Sequence, residues 1–255
     1  MSPPILMILL IGLSLGTLIT MSSSHWLLAW MGLELNTMAI IPLMAQSHHP
    51  RAVEAATKYF LIQAAAAATL LFATTYNAWM TGQWDIYHMS SPLPNTLITL
   101  ALAFKIGLAP LHAWLPEVIQ GLDYTTGLIL STWQKIAPFA LLLQIQPANS
   151  YTMISLGLLS TLIGGWGGLN QTQLRKIIAY SSIAHLGWMI LVIQFSPSLS
   201  ILTLLTYFFM TSSVFLTFKK YKAYNINTIS TSWAKAPALT ALTPLILLSL
   251  ADYPP

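Results

Sequence analysis

The chain has 255 residues, 56% of them hydrophobic and only 6% charged, with a mean hydropathy of +0.69. Soluble proteins carry about a quarter charged residues, so ten Lys or Arg and six Asp or Glu exclude a soluble enzyme. The absence of cysteine excludes a disulfide framework, a thiolate metal site and a thiol nucleophile, and the net charge of +4 is not gathered into a patch that would suit nucleic acid.

About 20 apolar residues are needed to cross the hydrocarbon of a bilayer. In chain order, runs of that kind lie at 3–21, 26–45, 55–80, 95–120, 124–145, 151–169, 176–195 and 198–218, and a ninth begins near 237. The first run is too long for a signal-peptide core and has no basic stretch before it, so it reads as a span. The connections are short, which makes consecutive helices antiparallel neighbours. The expectation is one all-α domain over 1–255, a polytopic membrane bundle of about nine spans with the lipid bilayer as its surroundings.

Alternating the spans sorts the charges. With the N-terminus on one side, that side receives Arg51, Lys58, Arg175, Lys176, Lys219, Lys220, Lys222 and Lys235. The other side receives Asp85 and no Lys or Arg. A miscounted helix would scatter the later charges over both sides. By the positive-inside rule the basic side is cytoplasm in a bacterium or matrix in a mitochondrion.

Three charges remain inside spans: Glu34, Lys105 and Lys135. Glu34 lies about 12 Å from one end of its span and about 16 Å from the other, too deep for snorkelling. Each such charge costs about 2.5–3.5 kcal/mol at a helix centre. An inert ion pair of Glu34 with one lysine would leave the other lysine unmatched. A titratable relay uses all three, because burial and a nearby carboxylate pull a lysine's proton affinity in opposite directions.

Proline placement points the same way. Residues 95–120 are too many for one straight helix and contain Pro110 and Pro116. A proline leaves the carbonyl four residues earlier without its helical partner. Pro110 would free Ile106, beside Lys105; Pro138 would free Gln134, beside Lys135; Pro116 would free His112. Irregular backbone at membrane depth persists only where protein buries it or a wet cavity adjoins it, so a broken helix lining a polar passage is expected at 95–120.

His112 lies between the two prolines and could bridge the lysines or simply pack. His185 is mid-span in Ala179-Tyr180-Ser181-Ser182-Ile183-Ala184-His185, and is open to the same two readings. Glu117 is an entry group or a helix-end charge. His48, His49 and His88 lack metal-ligand spacing, and no residue set suggests a metal or cofactor site in the chain. The run Gly164-Gly165-Trp166-Gly167-Gly168 lacks a phosphate loop's Lys-Ser/Thr ending and reads as a close-packing segment.

Glu34 in Leu28-Ala29-Trp30-Met31-Gly32-Leu33-Glu34-Leu35-Asn36, Lys105 in Phe104-Lys105-Ile106-Gly107-Leu108-Ala109-Pro110-Leu111-His112-Ala113-Trp114-Leu115-Pro116-Glu117, and Lys135 in Trp133-Gln134-Lys135-Ile136-Ala137-Pro138 together resemble the antiporter-like membrane subunits of respiratory complex I. The segment 174–187 is similar to a later motif of that family, and the likeness covers nearly the whole chain. The glutamate stands on the second helix rather than the fifth, which resembles the shorter animal mitochondrial form.

The resemblance implies a core membrane subunit of a proton-pumping NADH–ubiquinone oxidoreductase in the mitochondrial inner membrane, with the N-terminus and basic loops on the matrix side. It implies proton transfer through Glu34, Lys105 and Lys135. NADH, FMN, iron–sulfur clusters and ubiquinone would be bound by partner subunits, and the other complex I membrane subunits would be the partners. The same fold and buried charges would also serve a subunit of a sodium or potassium ion/proton antiporter. A scaffold subunit with inert charges is the third reading.

The family continues past Leu248-Ser249-Leu250 with Gly-Gly-Leu-Pro-Pro and further helices. This chain reads Ala251-Asp252-Tyr253-Pro254-Pro255. Codons for Gly-Gly-Leu-Pro, read one base later, spell Ala-Asp-Tyr-Pro, so a truncated or frameshifted ending with C-terminal helices missing is expected.

Overall fold

A computed structural model describes residues 2–232 apart from 48, 88, 90 and 146–149. The expected ninth span, Lys235, His48, His88 and the ending at 251–255 lie outside the described residues. In order the helices are α1 (Pro3–Ser22), α2 (Trp26–Met44), α3 (Pro50–Thr81), α4 (Pro92–Ile106), α5 (Trp114–Gly121), α6 (Tyr124–Ser131), α7 (Trp133–Gln144), α8 (Ser150–Gly168), α9 (Leu174–Ile193), α10 (Pro197–Tyr221) and α11 (Ile226–Ser232). Among the described residues, extended pairing is confined to two isolated bridges, His25 with Asp85 and Gln173 with Asn225.

Local chemistry sets the helix ends. Proline opens α1, α3, α4 and α10, where its missing N–H has no intrahelical acceptor to lose. The imidazoles of His25 and His49 cap α2 and α3, accepting from Leu27 N–H at 3.2 Å and Arg51 N–H at 3.3 Å. Gly82 (φ 72°) and Gly107 (φ 89°) close α3 and α4 in the left-handed region, which costs glycine little.

Among the described residues six stretches are long and apolar enough to cross a membrane: α1, α2, α3, α6 with α7, α9 and α10. Large apolar side chains face outward along them, including Trp79 (88% exposed) and Phe209 (75% exposed), as a lipid-solvated bundle requires. Small residues bring helices close. A Cβ on Gly16 would stand 2.8 Å from the carbonyl oxygen of Gly32, which seats α1 on α2. On α8, Gly157 and Gly164 meet Gly187 and Ala184 of α9 in the same manner. Gly167 lies under the Tyr180 ring, so the glycine-rich run is a packing surface.

The loops gather at two ends, as the alternation predicts. At one end Arg175 donates to the Leu122 carbonyl and lies 5.4 and 4.9 Å from the centroids of the Tyr124 and Tyr224 rings. At the other, the His25 ring stacks on Trp84 at 5.5 Å, and Ile86 N–H donates to the Ser24 carbonyl. Glu117 belongs to the first end, paired with Lys58 at 2.9 Å, and this half-exposed pair is a helix-end charge that contributes little to stability.

Two helices are broken. The first break, Gly107 to Ala113, lies within the stretch where it is expected, but the prolines act differently there. Pro110 sits in the irregular segment itself, and Pro116 is the third residue of α5, where an N–H would find no intrahelical acceptor. The His112 carbonyl is not freed; it accepts from Leu115 N–H at 3.0 Å. The second break is not foreseen by a continuous span at 124–145: at Thr132 (φ −110°, ψ −71°) α6 ends and α7 begins.

Candidate functional site

The α4 break sets up the first charge. The last carbonyls of a helix lack internal partners. Here the Trp114 indole N–H donates to the Phe104 carbonyl at 3.3 Å, and the Gln63 amide donates to the Lys105 carbonyl at 3.3 Å. These contacts hold the α4 end against α3 and α5, with Lys105 in its last turn. There the negative end of the helix dipole favours a cation. The Lys105 side chain is 3% exposed.

Glu34 reaches it from α2. Its Oε1 lies 3.9 Å from Lys105 Nζ, and its side chain is 22% exposed. The Thr37 hydroxyl, one turn on, donates to the Glu34 backbone carbonyl at 2.8 Å and lies 3.3 Å from Glu34 Oε2. At such a separation the attraction is about 4 kcal/mol in an effective dielectric near 20. Burial penalties are several kcal/mol per ion, so the pair does not repay its own desolvation and is poorly explained as a stabilising device.

Beside the pair lies a small cavity lined by Leu33, Asn36, Tyr59, Gln63, Lys105 and Gln134, with room for about one water molecule. Four buried polar atoms near it lack a hydrogen-bond partner among the described residues: Glu34 Oε1, Asn36 Oδ1, Lys105 Nζ and Gln134 Nε2. Buried polar groups are otherwise almost always paired. Asn36, Lys105 and Gln134 line the space, and orphaned donors and acceptors on those residues fit a hydrated site. Gln134 and Pro138 carry the cavity wall onto α7, the helix of Lys135.

Lys135 is 2% exposed and lies in the first turn of α7. Its Nζ donates to the Tyr207 hydroxyl at 3.0 Å, and that hydroxyl donates to the Ser131 carbonyl at 3.1 Å. The ammonium also stands 5.0 Å from the Tyr207 ring centroid. His185 packs beside Tyr207, with ring centroids 5.8 Å apart. His112 packs its ring on Tyr180 at 6.5 Å.

The structure thus gathers Glu34 with Lys105, and Lys135 with His185 through Tyr207. Sequence reasoning missed Thr37, Gln63, Gln134 and Tyr207. Thr37 was findable, three residues from Glu34 on the same helical face; Tyr207, in an apolar run, gave no signal. Among the described residues no group of three or more His, Asp or Glu could hold a metal ion.

Comparison with known proteins gives a consistent result. Residues 23–255 match the family described as NADH:quinone oxidoreductase/Mrp antiporter, TM. The chain is 72% identical over 255 residues to the NADH-ubiquinone oxidoreductase chain 2 of Tetraodon nigroviridis, covering 100% of this chain and 73% of that one. It is 65% identical over 256 residues to the chain of that name from Salmo salar, with the same coverage. Among solved structures, it is similar to a chain of respiratory complex I from Thermus thermophilus, with a TM-score of 0.87, 30% identity, and coverage of 98% of this chain and 60% of that one. A chain of the Mrp complex from a Dietzia species shares the fold, with a TM-score of 0.76, 20% identity, and coverage of 83% and 44%.

Proposed function

The chain belongs to the NADH:quinone oxidoreductase/Mrp antiporter family of membrane proteins, and from that premise we propose that it is a multi-pass core subunit of a proton-translocating NADH–ubiquinone oxidoreductase. It moves protons through buried side chains while electron transfer takes place elsewhere in the complex. NADH, flavin, iron–sulfur clusters and ubiquinone are bound by partner subunits, and the other membrane subunits of the complex are its neighbours. The observation that carries this reading is the Glu34–Lys105 pair at 3.9 Å beside a cavity of orphaned polar atoms.

The proposed path runs from Glu34 and Lys105, past Gln134, to Lys135 and then His185. Opening or closing the Glu34–Lys105 contact changes how tightly Lys105 holds its proton, which makes the pair the gate. Closure keeps the proton on Lys105, and separation releases it toward Gln134 and α7. His112, set against Tyr180, is a side branch in this scheme and not a bridge between lysines.

The membrane is the mitochondrial inner membrane, with the end that carries Arg51, Lys58, Arg175, Lys176, Lys219, Lys220 and Lys222 in the matrix. Labelling Lys219, Lys220 and Lys222 with a membrane-impermeant reagent tests the orientation. Reaction in inverted vesicles but not in mitoplasts supports it, and the reverse pattern overturns it.

The functional test is to solubilise native membranes mildly and isolate the particle containing this chain. NADH-dependent quinone reduction in that particle supports the reading. A particle without redox activity that exchanges sodium or potassium for protons after reconstitution would replace it with the antiporter reading.

A further inference from the structure

Tyr207 of α10 lies 72 residues from Lys135 in sequence, and its hydroxyl is hydrogen-bonded to Lys135 Nζ and the Ser131 carbonyl, with the Ser182 hydroxyl of α9 also in reach. The helix break explains why. Lys135 N–H donates to the Thr132 carbonyl at 3.2 Å, a tight-turn bond in place of the usual one to Ser131. The Ser131 carbonyl is left to Tyr207, which donates to it at 3.1 Å while accepting from Lys135 Nζ at 3.0 Å. A phenol has one proton to donate. Aimed at Ser131, it ends the donor chain on a carbonyl, which does not take up a proton.

Space beside the ring offers an exit. Tyr207, His185, Trp188, Thr203 and Thr206 line a second cavity with room for about one water molecule. The buried indole N–H of Trp188 has no acceptor among the described residues. A water in this space could accept from Trp188 and join the Tyr207 oxygen to the His185 imidazole.

We propose that Tyr207 is a proton-carrying residue of this chain: turning its O–H from the Ser131 carbonyl to the α9–α10 cavity connects Lys135 to His185. In the turned position the Lys135 ammonium passes a proton to the Tyr207 oxygen as that oxygen releases its own to the cavity water. The water then gives a proton to the imidazole. Lysine ends neutral and histidine positive, while tyrosine and water are unchanged. Returning the O–H to Ser131 breaks the link, and the turn costs one neutral hydrogen bond. The inference rests on the relay reading of Lys135 and extends it by one residue and one direction.

The test uses the assembled complex in sealed vesicles and reads protons moved per NADH oxidised, a ratio that normalises for the amount of complex. Tyr207→Phe keeps the ring and removes the carrier. The expected result is a slowing of proton transfer through this chain of roughly 100-fold, the scale of losing one positioned proton donor, and hence a lower ratio. His185→Ala should lower the ratio as far, and the double variant no further, because both act in one line. Additive losses would mean that Tyr207 only holds Lys135 in place and would overturn the link. A normal ratio in Tyr207→Phe, with Lys135→Met impaired, would overturn the tyrosine inference and leave the relay standing. A normal ratio in Lys135→Met would overturn both. Should Tyr207→Phe fail to assemble, Trp188→Phe removes only the indole donor at the cavity: a lowered ratio supports the path, and an unchanged one overturns it.

Discussion

Glu34 Oε1 and Lys105 Nζ face each other at 3.9 Å, close enough to interact strongly and too far apart for a hydrogen bond. Their burial is unequal: the lysine is nearly enclosed, while the glutamate keeps partial exposure. That inequality gives the pair a direction.

Removing one partner of a buried ion pair costs about 3–5 kcal/mol when the survivor is left uncompensated. Glu34→Gln strands the enclosed Lys105, whereas Lys105→Met leaves a glutamate that is partly exposed. Thermal denaturation of the isolated complex should therefore show Glu34→Gln as the more destabilised variant, with the double variant recovering much of the loss. Equal destabilisation by both single changes would contradict this account. Both singles should lower protons moved per NADH oxidised.

Lys135 should not tolerate arginine. Arginine remains protonated in proteins and so cannot release a proton along a relay, even where it preserves the charge. Lys135→Arg and Lys135→Met should both lose proton translocation in reconstituted vesicles. Methionine should disturb assembly less, because it is flexible and apolar and leaves the Tyr207 bond to Ser131 intact. Pumping by Lys135→Arg at the normal ratio would exclude titration at this position.

Gln134 tests the cavity beside Lys105. Gln134→Leu is close in volume and removes the amide that lines the space. It should slow proton movement while leaving the melting temperature of the complex close to that of the wild type, since the amide nitrogen it removes is buried without a partner among the described residues. Proton-pumping rates at saturating NADH, measured with a pH-sensitive dye, would decide it. An unaltered rate would show that the path does not use this face of α7.

The α8–α9 seam should be intolerant at one glycine and tolerant at another. A Cβ on Gly187 would stand 2.8 Å from Thr161 N and 2.9 Å from the Gly157 carbonyl oxygen, whereas one on Gly165 meets nothing within 4 Å. Gly187→Ala should cost about 1–3 kcal/mol through overpacking, and Gly165→Ala should be neutral or slightly stabilising. The yield of assembled complex on native gels should fall only for the first.

Much of this architecture is one-dimensional. Hydropathy and the alternation of loops depend on stretches of about 20 residues, so the helices and their up-and-down order followed from the sequence. Eight helical passes lie within the described residues, counting α4 with α5 and α6 with α7 as one pass each. Charge in a span is equally local: Glu34, Lys105 and Lys135 stand out against their neighbours wherever the helices pack.

Distance and partnership are not local. Nothing near Lys135 in sequence names Tyr207, and nothing near Lys105 fixes its separation from Glu34; both follow from how α2, α4, α7 and α10 are pressed together. The break at Thr132 is another case, because its freed Ser131 carbonyl finds its partner on α10, a contact available only after packing. The prolines show the same division. Their missing N–H groups were certain from the sequence, but whether a carbonyl lost a partner depended on where each helix began, and Pro116 fell in the first turn of α5. The sequence by itself determined which groups lie in the membrane and which are charged, through composition alone. Tertiary structure decided which of them touch, because a proton moves only between atoms at hydrogen-bond distance, and that distance is set by helix packing.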